Sequence, residues 1–150
     1  MTSPIHHIIP ANGIDLSFYE WNSNLKGDLP SLLFVHATGF HARVWDEIID
    51  ILPDRHVIAV DVRCHGKSSG DVISKWRDCA DDIVVMLDQL SLPAWHGIGH
   101  SMGGHVLLRV AHARPQDVKS LVLIDPVIGS PDRYDVNSSW FPKDQPHPTV

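Results

Sequence analysis

The 150 residues are 43% hydrophobic, enough for one domain with an ordinary core, and their formal charge of −6 comes from scattered acids and bases, which argues against nucleic acid as a partner. No apolar run reaches the length of a membrane span, so no membrane association is expected. The first residues lack the charged and apolar regions of a signal peptide, and Cys64 and Cys79 form no metal or redox spacing, so the chain reads as cytoplasmic with free thiols.

Residues 5–9 and 14–21 are rich in strand formers and joined through Pro10-Ala11-Asn12-Gly13, whose Asn-Gly pair predicts an antiparallel hairpin. In the second strand Ile14, Leu16 and Phe18 alternate with Asp15 and Ser17, which predicts one wet face. A polar loop follows, then Leu32-Leu33-Phe34-Val35-His36, a short apolar run expected to be buried on both faces. Trp45, Ile48, Ile49 and Leu52 stand at helical spacing before Pro53. A second buried strand is expected at 56–61, leading into the polar loop Val62-Arg63-Cys64-His65-Gly66-Lys67-Ser68-Ser69-Gly70. Residues 75–90 predict an amphipathic helix. Trp76, Ala80, Ile83, Val84, Leu87 and Leu90 form its apolar face, and Arg77, Asp78, Asp81, Asp82, Asp88 and Gln89 face water. Strand 95–100, a helix to about Ala113 and an apolar strand at 120–124 complete an alternation that predicts a mostly parallel sheet of about six strands with flanking helices. From residue 127 the composition turns to proline, polar residues and aromatics.

The chemistry concentrates at Gly99-His100-Ser101-Met102-Gly103. A serine on a tight strand-to-helix turn takes a strained backbone with positive φ, at a cost of about 1–3 kcal/mol. Side chains at the two glycine positions would collide with the neighbouring strand and helix. The first N–H groups of the helix, starting with Met102, are free to face developing negative charge. Two other readings compete: a serine that merely caps the helix, and a dinucleotide-binding turn, since Gly97, Gly99 and Gly103 also spell G-x-G-x-x-x-G. The dinucleotide reading expects the turn after the first strand of its sheet, whereas two buried strands precede this one.

Gly-His-Ser-Met-Gly-Gly resembles the nucleophile elbow of the α/β-hydrolase superfamily, and two further stretches carry the resemblance. His36-Ala37-Thr38-Gly39 is similar to the His-Gly-x-Gly turn after the third strand, with Ala37 in place of a glycine. Asp61-Val62-Arg63-Cys64-His65-Gly66-Lys67-Ser68 is similar to the Asp-x-Arg-Gly-His-Gly-x-Ser loop after the fourth, with Cys64 in place of a glycine. The resemblance covers residues 5–126. It implies an α/β-hydrolase fold with the elbow after the fifth strand. Ser101 is then the catalytic nucleophile, the backbone N–H groups of Thr38 and Met102 form the oxyanion hole, and the 61–68 loop braces the oxyanion turn.

The resemblance further implies that residues 1–126 are the N-terminal part of the fold. Residues 127–150 would begin a cap or lid segment, expected to be poorly ordered. A general base and its acid partner are expected beyond Val150. Asp125 ends the sixth strand, where a minority of lipases carry the acid, but a turn-bracing aspartate is the simpler reading. His100 points away from the nucleophile, His105 and His112 lie on the elbow helix, and His147 lies in the tail, so no base is nominated. A serine without its base keeps roughly 10³–10⁴ over water from the oxyanion hole and binding. The expectation is an esterase-like serine hydrolase acting on an ester-like or activated C–C bond of a small molecule, the alternative being an inactive fragment or binding module of the same fold. No cofactor is expected and no metal site is assigned, because the eleven histidines show no ligand spacing such as H-E-x-x-H. The last strand would leave an apolar edge through which copies could associate.

Overall fold

The computed structural model describes residues 3–73 and 75–129. Six strands, β1 (Ile5–Ala11), β2 (Ile14–Trp21), β3 (Ser31–Val35), β4 (Val57–Asp61), β5 (Trp95–His100) and β6 (Val118–Ile124), form one sheet in the order β1-β2-β4-β3-β5-β6. β1 and β2 are antiparallel, as are β2 and β4, while β4, β3, β5 and β6 run parallel to one another. This is the mostly parallel α/β sheet expected, with the elbow strand fifth in the chain. The hairpin turns on Asn12 and Gly13, at φ 45° and 80°. β1 runs on through Pro10, which an edge strand tolerates because the missing N–H would face away from the ladder.

Three helices flank the sheet: α1 (Asp46–Asp50), α2 (Trp76–Leu90) and α3 (Met102–Ala113). α2 and α3 cover one face, where Ile83, Met86, Leu87, Val106, Leu107 and Val110 pack on Leu16, Phe18, Leu33, Val35, Ile58 and Val60. The other face buries Tyr19, Trp21, Phe34, Val57 and Ala59 under Ala42, Trp45 and Ile49. The alternation along β2, β3 and β4 therefore sends successive side chains into two separate cores.

Three expectations need correction. The helix expected from Trp45 to Leu52 is a short turn at Ala42–Trp45 followed by the five-residue α1, and Ile48 lies outside the core at 42% exposure. The outer face of β2 is wet only at its start: Asp15 is exposed, but Ser17 is fully buried. Asp82, read as solvent-facing, is also fully buried on α2, where Arg63 and Asn12 hold its carboxylate.

Among the described residues β6 pairs only with β5, and its side chains Val122 and Ile124 are exposed. No helix among the described residues is long and apolar enough to cross a membrane. The segment expected to begin a cap lies almost wholly outside the described residues.

Candidate active site

β5 ends at His100 and α3 begins at Met102, so the whole strand-to-helix reversal falls on Ser101, at φ 51° and ψ −113°. Such a conformation persists in a residue with a Cβ only where the surroundings over-determine it. Here Ser101 N–H donates to the Ile124 carbonyl at 2.9 Å, and the Ser101 carbonyl accepts from the N–H groups of Gly104 at 3.1 Å and Val127 at 3.3 Å. The glycines act as the spacing predicts. A Cβ on Gly99 would sit 2.7 Å from the Gly103 carbonyl carbon, and one on Gly103 would sit 2.2 Å from the Val35 carbonyl oxygen at the end of β3. Gly104 is the further glycine that the motif left unexplained: its Cβ would meet Pro126 at 2.8 Å.

Both competing readings of this turn fail. The Ser101 side chain makes no capping bond to α3, and its hydroxyl has no hydrogen-bond partner among the described residues. A Cβ on Gly97 would strike Leu121 at 2.7 Å and Leu107 at 3.1 Å, so that glycine serves helix-to-strand packing rather than access of a pyrophosphate.

β3 and β5 are parallel neighbours with Val35 opposite Gly99. The chain therefore leaves both strands at the same edge of the sheet, with the Thr38 turn beside the elbow. Met102 is the first residue of α3, so its N–H has no partner within the helix. In the facing turn, Phe40 N–H closes on the Ala37 carbonyl at 3.1 Å and the positive φ falls on Gly39, at 80°. Ala37 keeps a negative φ and buries its methyl, which is why the turn accepts alanine there.

The loop after β4 braces this turn, as the resemblance implies. Asp61 is 1% exposed, and its carboxylate accepts from Ala42 N–H at 2.6 Å, Lys67 N–H at 2.9 Å and the Ser17 hydroxyl at 3.0 Å. A Cβ on Gly66 would fall on that carboxylate. The His65 Nε2 accepts from Gly39 N–H at 3.1 Å, and the His36 Nε2 accepts from Val62 N–H at 3.1 Å. Burial pushes His36 down to about 4, so it is neutral at physiological pH. Cys64, which stands where the family motif has glycine, takes φ 61°.

No histidine among the described residues pairs with Ser101. His100 lies near Phe40, with ring centroids 6.4 Å apart. His105 meets the Val127 carbonyl at 3.0 Å and accepts from Arg109 Nε at 2.8 Å, and burial lowers its pKa. His112 is exposed on α3, and Asp125 is exposed just past β6. His147 lies outside the described residues. Among the described residues no cluster of three or more histidine, cysteine or carboxylate side chains could hold a metal ion.

Sequence reasoning missed Ser17 and Asp82 as parts of this scaffold. Arg63 was the available signal for Asp82, because a guanidinium held in a loop against the sheet needs a carboxylate nearby.

The family model described as "Alpha/beta hydrolase family" matches residues 32–149. The monoglyceride lipase of Mus musculus is 32% identical over 132 residues, covering 81% of this chain and 43% of that protein. The pimeloyl-[acyl-carrier protein] methyl ester esterase of Nitrosomonas europaea is 35% identical over 106 residues, 65% of this chain and 38% of that protein. Among solved structures, a bacterial membrane phospholipase A superposes with a TM-score of 0.76 at 26% identity, over 86% of this chain and 42% of that one. The chain thus spans less than half the length of these relatives. With the strand order, the elbow and the braced turn in place, the chain belongs to the alpha/beta hydrolase family.

Proposed function

We propose that Ser101 is the nucleophile of a serine hydrolase that cleaves an ester-like bond of a small molecule, with the N–H groups of Thr38 and Met102 receiving the oxyanion. The observation that carries this reading is the unpartnered hydroxyl of Ser101 on a positive-φ turn between β5 and α3. Oγ attacks the carbonyl carbon, its proton passes to a base, and charge builds on the carbonyl oxygen. Two N–H donors at that oxygen are each worth about 3–4 kcal/mol when correctly aimed. The names of the two curated relatives favour an ester over an activated C–C bond. In this reading the base and its acid partner belong to sequence following Val150, and residues 127–150 open a cap over the site. The free thiols of Cys64 and Cys79 fit a cytoplasmic protein.

The second reading is a non-catalytic binding module of the same fold, favoured by the lack of any histidine partner for Ser101 among the described residues. A fluorophosphonate probe separates the two when applied to the chain extended to its natural length, which supplies the base this reading requires. Covalent labelling that disappears in Ser101→Ala, with turnover of short p-nitrophenyl esters far above background, supports the hydrolase. Labelling that survives the substitution removes Ser101 from the role. Association of two copies along β6 is a further proposal, supported by its free edge, and sedimentation of the chain over a concentration series tests it.

A further inference from the structure

We propose that His36 and His65 are positioning residues that form a reciprocal clasp, each imidazole holding the other's loop, and that together they aim the Thr38 N–H at the nucleophile. The proposal rests on the serine-hydrolase reading for its purpose but on hydrogen bonds for its geometry.

Each ring has one partner that can only donate and one that can only accept. His36 Nδ1 lies 2.8 Å from the Ala37 carbonyl oxygen, and Nε2 lies 3.1 Å from Val62 N. His65 Nδ1 lies 3.0 Å from the Arg63 carbonyl oxygen, and Nε2 lies 3.1 Å from Gly39 N. A carbonyl needs an N–H and an amide needs a lone pair. Both rings are therefore neutral, with the proton on Nδ1. His36 belongs to the turn after β3 and grips the loop after β4, while His65 belongs to that loop and grips the turn. The two ring centroids are 5.1 Å apart.

The bonds fall on the two peptide units that flank Thr38. The Ala37 carbonyl and the Thr38 N–H share one planar trans unit and point in opposite directions. The His36 Nδ1–H bond to that carbonyl therefore sets the direction of the Thr38 N–H. The next unit carries the Gly39 N–H, which His65 fixes. Thr38 itself is exposed, and the peptide units on both sides of it are held. Arg63, the carbonyl partner of His65, is anchored in turn to Asp82 through Nε and Nη2, each at 2.7 Å.

The deciding experiment is ¹⁵N NMR of the chain at neutral pH. Both rings should show the Nδ1–H tautomer, with coupling across the hydrogen bond from Gly39 N to His65 Nε2 and from Val62 N to His36 Nε2. An Nε2–H tautomer at either ring, or no coupling at Gly39, overturns the clasp. The functional arm is the rate of fluorophosphonate labelling of Ser101. His65→Gln, whose amide oxygen can accept from Gly39 N–H, should stay within about threefold of the parent, and His65→Leu should fall at least tenfold while melting as a folded protein. Equal rates for all three overturn the positioning role. The labelling is done on the chain extended to its natural length; if that parent is not labelled at all, the hydrolase reading fails, while the tautomers still decide the clasp.

Discussion

Gly103 lies so close to β3 that a Cβ built on it would sit 2.2 Å from the Val35 carbonyl oxygen and 2.6 Å from that of His36. Both obstacles are backbone, and His36 leads directly into the turn that carries Thr38. Gly103→Ala gains up to about 1 kcal/mol in helix propensity. It must then push α3 off the strand, an overpacking that costs about 3 kcal/mol or more. Urea denaturation should show a net loss, accompanied by slower labelling of Ser101.

The Arg63–Asp82 pair should be the most sensitive electrostatic contact of the scaffold. Asp82 is fully buried and the Arg63 side chain only 14% exposed, and the pairing pushes the guanidinium pKa up. Arg63→Ala leaves the carboxylate with Asn12 as its remaining hydrogen-bond partner. Breaking a buried pair from one side costs about 3–5 kcal/mol. The midpoint of chemical denaturation measures this directly, and the exposed pair of Arg77 and Asp81 provides the control, where Arg77→Ala should change stability by less than about 0.5 kcal/mol.

Acid should weaken the fold through His36. Burial lowers its pKa from 6.5 to about 4, opposed by the hydrogen bond to the Ala37 carbonyl and by Asp61 of β4, and helped slightly by His65 of the β4 loop and His41 of its own turn. Between those two values the unfolded chain binds a proton that the folded chain refuses. Stability is therefore complete above about pH 6.5 and is lost as the pH falls toward 4. The full difference integrates to roughly 3 kcal/mol. Denaturation at pH 7 and at pH 4.5 should show this slope in the parent, and a shallower one in His36→Gln.

The two cysteines should react very differently. Cys64 is exposed, whereas Cys79 is buried, and its burial with Asp82 nearby pushes the thiol up to about 12. A disulfide reagent at neutral pH should modify one thiol quickly and the second only on unfolding. Cys64 also bears a Cβ at φ 61°. Cys64→Gly relieves that strain and should stabilise the chain by up to about 1 kcal/mol, as read from its thermal midpoint.

The order of elements and the elbow were legible because both rest on local rules. Buried strands are short apolar runs, the Asn12-Gly13 turn demands positive φ, and the glycines around Ser101 answer a steric problem set within a few residues. Long-range polar pairing was not legible. Asp82 sits on the charged side of a helical wheel, and nothing within its own helix says that Arg63 will arrive from a loop and draw that side into the core. Ser17 occupies the polar phase of β2, but the phase shows only that it leaves the apolar core, not that Asp61 and Ser68 wait on the other side. The short α1 misled for a related reason: Trp45 and Ile49 do pack inward, but the sheet face they cover needs only about one turn of helix.

The Ser101 peptide is fastened at both ends to the strand and the chain that follow it, through Ile124 and Val127. Displacement of the chain at Ile124 or Val127 would thus be transmitted to the elbow through these backbone contacts, alongside the bond between His105 and the Val127 carbonyl. Whatever grips that outgoing segment would have a mechanical handle on the hydroxyl itself.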